Sequence, residues 1–236
     1  MLSGINTEIT PIIKNLLIIN GLLFLSTISL KNLGIDLIEY LGLHQFQNIK
    51  FKPHQLITHM FMHGSIGHLI FNMFTLWIFG RTLEKIWGSK KFLNYYLITG
   101  VGAALIYITY VQFQIFSLAG DNKELINIAK KGLVYTGDIT SQRVTSLVMS
   151  TCIGASGAVY GILLAFGIMF PNSIMYLYFA IPVKTKYVVT GLAIIALISG
   201  LSNIPGDNIA HFAHLGGMIF GFIILKYWKK KGDIYF

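Results

Sequence analysis

The sequence predicts an all-α polytopic membrane protein of six transmembrane helices, with residues 1–236 forming a single domain whose core covers about 10–228. Three observations carry this. Hydrophobic residues make up 54% of the chain and charged residues only 11%, against about 25% charged in ordinary soluble domains. Several apolar runs reach the roughly 20 residues needed to cross a hydrocarbon core. Those runs do not alternate apolar and polar positions, as a transmembrane barrel would require.

Six spans are expected near residues 13–31, 60–79, 92–116, 152–170, 187–202 and 210–228. The first is long and lacks a convincing small-residue cleavage site, so it reads as a retained helix rather than a signal sequence. The second carries a series of histidines. The third and fourth are rich in Gly and Ala, as packed membrane helices are. The mixed-charge stretch from Gly120 to Arg143 reads as an external loop. The fifth span is short and follows an irregular stretch from Phe170-Pro171 to Lys186, where Pro182 argues against one continuous helix. The sixth ends in Lys229-Lys230-Lys231, read as a topology anchor.

Charge orients these spans. With both termini cytoplasmic, the inner side holds Lys14, Arg81, Lys85, Lys90, Lys91, Lys184, Lys186, Lys226, Lys229, Lys230 and Lys231. The remaining basic residues lie on longer outer loops, where the positive-inside rule is weaker. A net charge of +9 in such a chain reflects this rule and anionic lipid headgroups. Nothing resembles a nucleic-acid-binding motif. The asymmetry leads to an expectation of a bacterial inner membrane or similar plasma membrane, with organelle membranes as the alternative. Cys152 is the lone cysteine, which excludes an intramolecular disulfide.

In this orientation three polar clusters share a depth. Ser156, in Gly154-Ala155-Ser156-Gly157, lies in the first turn or so of span four; His211 and His214 open span six; His63, His68 and Asn72 stand on span two. Polar groups at membrane depth are costly and are functional candidates. A serine beside an imidazole points to nucleophilic catalysis. Gly157 and Gly161 are four apart on span four, Gly217 and Gly221 four apart on span six. Such small-residue faces let helices approach closely, which would bring Ser156 and His214 within hydrogen-bond reach. His211, one turn further out, is the competing base. Tyr160 shares a helical face with Ser156 and could hold the imidazole's orientation. No acidic residue accompanies the histidine within the membrane, so a dyad is expected rather than a triad.

The Ser156 N–H, helped by His68 and Asn72, would form the oxyanion site. His68 and Asn72 are four residues apart and share a face. Metal ligation by His54, His59, His63 and His68 is the rival for span two, but no carboxylate accompanies them. Neither metal nor cofactor is expected. Cys152 as a nucleophile is weighed against a small membrane-helix residue, and the second is favoured. An inactive binding protein and a small-solute transporter are the alternatives from other classes; the dyad residues are retained, and the spans show no paired, interrupted halves.

These residues resemble the rhomboid family of intramembrane serine proteases. The matching segments run from His59 through His63-Gly64-Ser65-Ile66-Gly67-His68 to Asn72-Met73, then Gly154-Ala155-Ser156-Gly157-Ala158-Val159-Tyr160-Gly161, then Ala213-His214-Leu215-Gly216-Gly217. Glu84, after the second span, fits the same layout. The resemblance implies a rhomboid-like bundle with Ser156 as nucleophile and His214 as general base. It also implies His68 and Asn72 at the oxyanion, Tyr160 against the base, and substrates that are single-span helices cut near the outer side of the membrane. The expected partners are therefore membrane proteins and the lipid bilayer. Lateral entry needs a gate, for which the fifth span is the candidate. The family's first external loop often carries a Trp-Arg pair; here the stretch reads Lys52-Pro53-His54-Gln55.

Overall fold

The computed structural model describes residues 8–134, 138–177, 180–201 and 208–234, and these are mostly helical. The longer helices are α1 (Pro11–Lys31), α4 (Ile66–Thr75), α6 (Ser89–Ala119), α9 (Ser156–Met169), α10 (Thr185–Leu201) and α11 (Asn208–Lys231). Short helices α2 (Leu37–Leu41), α3 (Gln55–Thr58), α5 (Arg81–Trp87), α7 (Lys123–Lys130) and α8 (Ile139–Val148) occupy the connections. Of the described helices, α1 and α6 are long and apolar enough to cross a membrane, while α9 and α10 are apolar but shorter.

Side-chain exposure fits a lipid surround. Leu22 and Leu25 on α1, Phe71 on α4, Phe113 and Phe116 on α6, Ile195 and Ile198 on α10, and Phe222 and Ile223 on α11 all face outward. Contiguous apolar surface of this extent marks a membrane or partner contact rather than a water-facing wall.

Three boundaries differ from the sequence expectation. The second span begins at Ile66 rather than near residue 60. Residues His59–Phe61 form a 3₁₀ turn instead, and Ser65 caps α4 by accepting from the His68 N–H at 3.2 Å. The helix then runs on through a π turn at Leu76–Gly80 into α5 and stops at Gly88, whose φ of +78° favours glycine. The fourth span begins at Ser156 rather than 152. Thr151 and Cys152 form strand β2, which pairs antiparallel with β1 (Leu43–His44).

The expected external loop is partly helical, holding α7 and the start of α8, each capped by a side chain: Asn122 accepts from Leu125 N–H, and Asp138 from Thr140 and Ser141. The irregular stretch before the fifth span contains a hairpin, β3 (Ile174–Leu177) with β4 (Ile181–Lys184), in which Tyr176 faces Pro182. The chain is mostly helical, as expected, with two small two-stranded sheets added at the connections. Neither would stand alone in water.

Helix α11 packs chiefly on α6 and α9. Its glycines set the distances. A Cβ at Gly217 would lie 1.9 Å from the Gly157 carbonyl oxygen, and one at Gly161 would lie 3.1 Å from the Gly217 carbonyl oxygen. The α9 and α11 backbones are therefore in direct contact. Tyr95 of α6 closes the same junction, donating to the Gly161 carbonyl at 2.8 Å.

Glu84, only 2% exposed, ties the start of α1 to the α5–α6 corner. It accepts from the Ile12 N–H at 2.9 Å, the Ile13 N–H at 3.1 Å, the Ser89 hydroxyl at 2.7 Å and the Thr10 hydroxyl. Burial works to raise its pKa, but these hydrogen bonds outweigh it and hold the carboxyl below its ordinary value. Such a group stabilises the fold above its unfolded-state pKa, and the contribution fades as pH falls through the folded one. Glu84→Ala is expected to cost about 2–3 kcal/mol. The check is the unfolding midpoint in detergent, with wild type losing more stability than Glu84→Gln on acidification.

Candidate active site

The serine is delivered by a turn that only glycine accommodates. Gly154 has φ of +119°, and its N–H donates to the His59 carbonyl at 2.8 Å. His59 is itself buried, its Nδ1 2.9 Å from the Gln55 carbonyl. With β2 paired to β1 on one side and Gly154 bonded to the 3₁₀ turn on the other, the chain entering α9 is fixed at both ends. Ser156 is then the first residue of α9. Its N–H is one of those a helix leaves without an internal acceptor, at the positive end of the helix dipole.

From α11, His214 reaches the serine. Ser156 Oγ and His214 Nε2 are 2.8 Å apart. The imidazole lies flat on Tyr160, with ring centroids 4.1 Å apart and planes 5° from parallel. His214 Nδ1 has no hydrogen-bond partner among the described residues. The ring is therefore oriented by its stacked face and by the serine. His211 stands edge-on to His214 at 6.1 Å. The contact depends on the glycine junction, because the Gly157–Gly217 approach lies one residue beyond Ser156 and three beyond His214.

Helix α4 brings the third cluster. A Cβ on Gly154 would lie 2.6 Å from His68 Nε2, so the His68 ring rests against the turn that carries the serine. The side-chain amide of Asn72, 6% exposed, donates to the His68 carbonyl at 3.0 Å. An amide NH₂ has a second hydrogen to offer. His63 stacks edge-on to His68 at 4.9 Å and is fully buried.

The histidines of the second span do not converge. His54 Nε2 lies 3.1 Å from the Tyr40 carbonyl, His59 turns to Gln55, and His63 meets His68. Among the described residues no three His, Cys, Asp or Glu side chains cluster as metal ligands would. Sequence reasoning named His59 as a rival metal ligand and within a matching segment, but not as a support of the serine turn, and it did not find the β1–β2 pair. The signal for the turn lay in Gly154, two residues before the helix. The pairing of Leu43 with Cys152 joins segments too far apart for local patterning to reveal.

Ser156 and His214 thus meet at the junction of α9 and α11, within a bundle of helices whose outer faces are apolar. The Rhomboid domain model matches residues 50–230, and the chain belongs to the rhomboid family. It is 28% identical over 169 residues to RHOMBOID-like protein 12, mitochondrial, of Arabidopsis thaliana, covering 70% of this chain and 44% of that protein. It is 25% identical to Rhomboid protein 1, mitochondrial, of Saccharomyces cerevisiae, over 74% of this chain and 42% of that protein. It is 31% identical to Rhomboid protease AarA of Providencia stuartii, over 70% of this chain and 52% of that protein. The chain thus spans about half or less of the length of these relatives.

These names correct one expectation. A bacterial inner membrane with both termini in the cytoplasm does not stand. The Arabidopsis and yeast relatives are named as mitochondrial, as are two further relatives from Arabidopsis thaliana and Pongo abelii, which points to an organellar membrane. The physical reason for the miss is plain. A Lys/Arg bias orders the two sides of a membrane but does not say which membrane it is.

Proposed function

We propose that this chain is an intramembrane serine endopeptidase that hydrolyses peptide bonds of transmembrane substrates in an organellar membrane. The observation that carries this reading is the 2.8 Å contact between Ser156 Oγ and His214 Nε2, with the imidazole held flat on Tyr160. In this reading the six longer helices span the bilayer, α4 together with its π turn. The cleaved bond sits near the face at which α4, α9 and α11 begin.

His214 Nε2 takes the hydroxyl proton as Ser156 Oγ attacks the scissile carbonyl carbon. For Nε2 to accept, Nδ1 must carry the ring's own proton. In soluble triads a carboxylate fixes that tautomer and orientation; here stacking on Tyr160 supplies the orientation. The tetrahedral oxyanion is met by the Ser156 N–H, His68 Nε2–H and the second amide hydrogen of Asn72. The imidazolium then protonates the leaving amine, and a water repeats the cycle on the acyl-enzyme. Lipid surrounds the helices while the polar side chains face inward, as spanning structures require. Substrate enters laterally, and α10 is the candidate gate.

The oxyanion role separates from a merely structural one by kinetics. His68→Ala and Asn72→Ala are each expected to lower kcat about 10²–10³-fold with KM nearly unchanged, measured on a single-span substrate in liposomes. An equal loss through KM alone would contradict the assignment.

A further inference from the structure

We propose that the cleft where α9 and α11 end binds one anionic phospholipid. Its phosphate is held by Lys226 and Lys229, and part of an acyl chain lies along Ile168, Phe222 and Leu225. The inference rests on the reading that these helices span a membrane. These five residues line a cleft of about 250 Å³. Phe222, Leu225, Lys226 and Lys229 follow one another at helical spacing on a single face of α11, and Ile168 closes the cleft from α9.

The chemistry of the lining changes along that face. Leu225 is 1% exposed and forms an apolar floor, and Phe222 continues it outward. The two lysines stand exposed at the rim. Lys226 Nζ lies 5.3 Å from the Phe222 ring centroid, so its charge sits directly over the apolar wall. Among the described residues no carboxylate pairs with Lys226. The cleft is smaller than the roughly 300–1,000 Å³ that encloses a whole soluble ligand. An occupant held only in part, with its remainder in the bilayer, fits that volume.

The depth also fits a headgroup. Trp228 packs against Trp87 and Tyr95 with centroids 5.5 and 5.9 Å away, and Tyr227 is exposed. Trp and Tyr gather where a membrane meets water, and basic pockets between helices at that level favour anionic headgroups. Lys226 is twelve residues from His214, so the cleft lies about 18 Å along α11 from the serine contact, at the opposite membrane face.

The test is native mass spectrometry of the full chain in detergent, titrated with phosphatidylglycerol or phosphatidylcholine. Wild type is expected to retain one phosphatidylglycerol with roughly twenty-five-fold preference over phosphatidylcholine, about fivefold for each lysine. Lys226→Gln/Lys229→Gln should abolish the preference, Lys226→Arg/Lys229→Arg should keep it, and Lys230→Gln/Lys231→Gln, outside the cleft, should also keep it. If the two glutamine pairs behave alike, tail charge and not the cleft selects the lipid, and the proposal fails. Displacement of phosphatidylglycerol by millimolar inorganic phosphate would make this a free-anion site and overturn it as well. The readout uses no protease substrate, so failure of this site and failure of the protease reading give different results.

Discussion

Ser156→Ala is expected to lower cleavage of a single-span substrate in liposomes by about 10⁶-fold, the order of loss when a serine protease loses its nucleophile. The fold should persist. The substitution removes one half-buried oxygen at the first residue of α9 and leaves every backbone hydrogen bond of the Gly154 turn in place. His214 keeps its stacking on Tyr160, so the imidazole stays where it is and lacks only its partner. Cleavage rate and unfolding midpoint, measured on the same preparation, separate lost chemistry from lost structure. Activity near that of wild type would end the nucleophile assignment.

The second large effect lies at a residue that carries no chemistry. Gly217→Ala adds a Cβ 1.9 Å from the Gly157 carbonyl oxygen. That oxygen belongs to helix backbone and cannot rotate aside, so α9 and α11 must part by roughly an ångström. Overpacking of this kind costs about 1–3 kcal/mol. The same displacement opens the 2.8 Å contact between Ser156 and His214, and a misplacement of about 1 Å can cost 10²-fold in rate. Gly217→Ala should therefore lower both the unfolding midpoint and kcat. Gly21→Ala in α1, where an added Cβ meets nothing within 4 Å, should lower neither. If Gly217→Ala cleaved as wild type does, the junction would not be what sets the catalytic distance.

Much of the bundle was legible in the sequence because membrane helices advertise themselves. Long apolar runs gave the first, third and fifth segments to within about three residues of α1, α6 and α10. The four-residue spacing of Gly157 with Gly161 and of Gly217 with Gly221 showed which faces could approach. Proximity of Ser156 to His214 followed from that approach. Local interruptions were harder to see. A run read as apolar from residue 60 contains a 3₁₀ turn and a capped restart at Ser65, because hydropathy does not register a cap. The fourth segment started late because Gly154 takes a positive φ and the residues before it pair with β1. Long-range partners of this kind leave no periodic signature. The Asn72 amide bonded to its own helix at His68 is likewise a detail of side-chain rotation that spacing does not contain. The membrane itself was misread, since charge asymmetry describes sides and not organelles.

The central claim is that Ser156 is a nucleophile activated by His214, and covalent labelling tests it most directly. Purified protein in liposomes would be treated with a fluorophosphonate at neutral pH, digested, and mapped by mass spectrometry. The account predicts one adduct, on Ser156, which disappears in His214→Ala while that variant remains folded. A wild-type protein that cleaves its substrate yet carries no adduct on Ser156, or a His214→Ala variant labelled as fast as wild type, would contradict it.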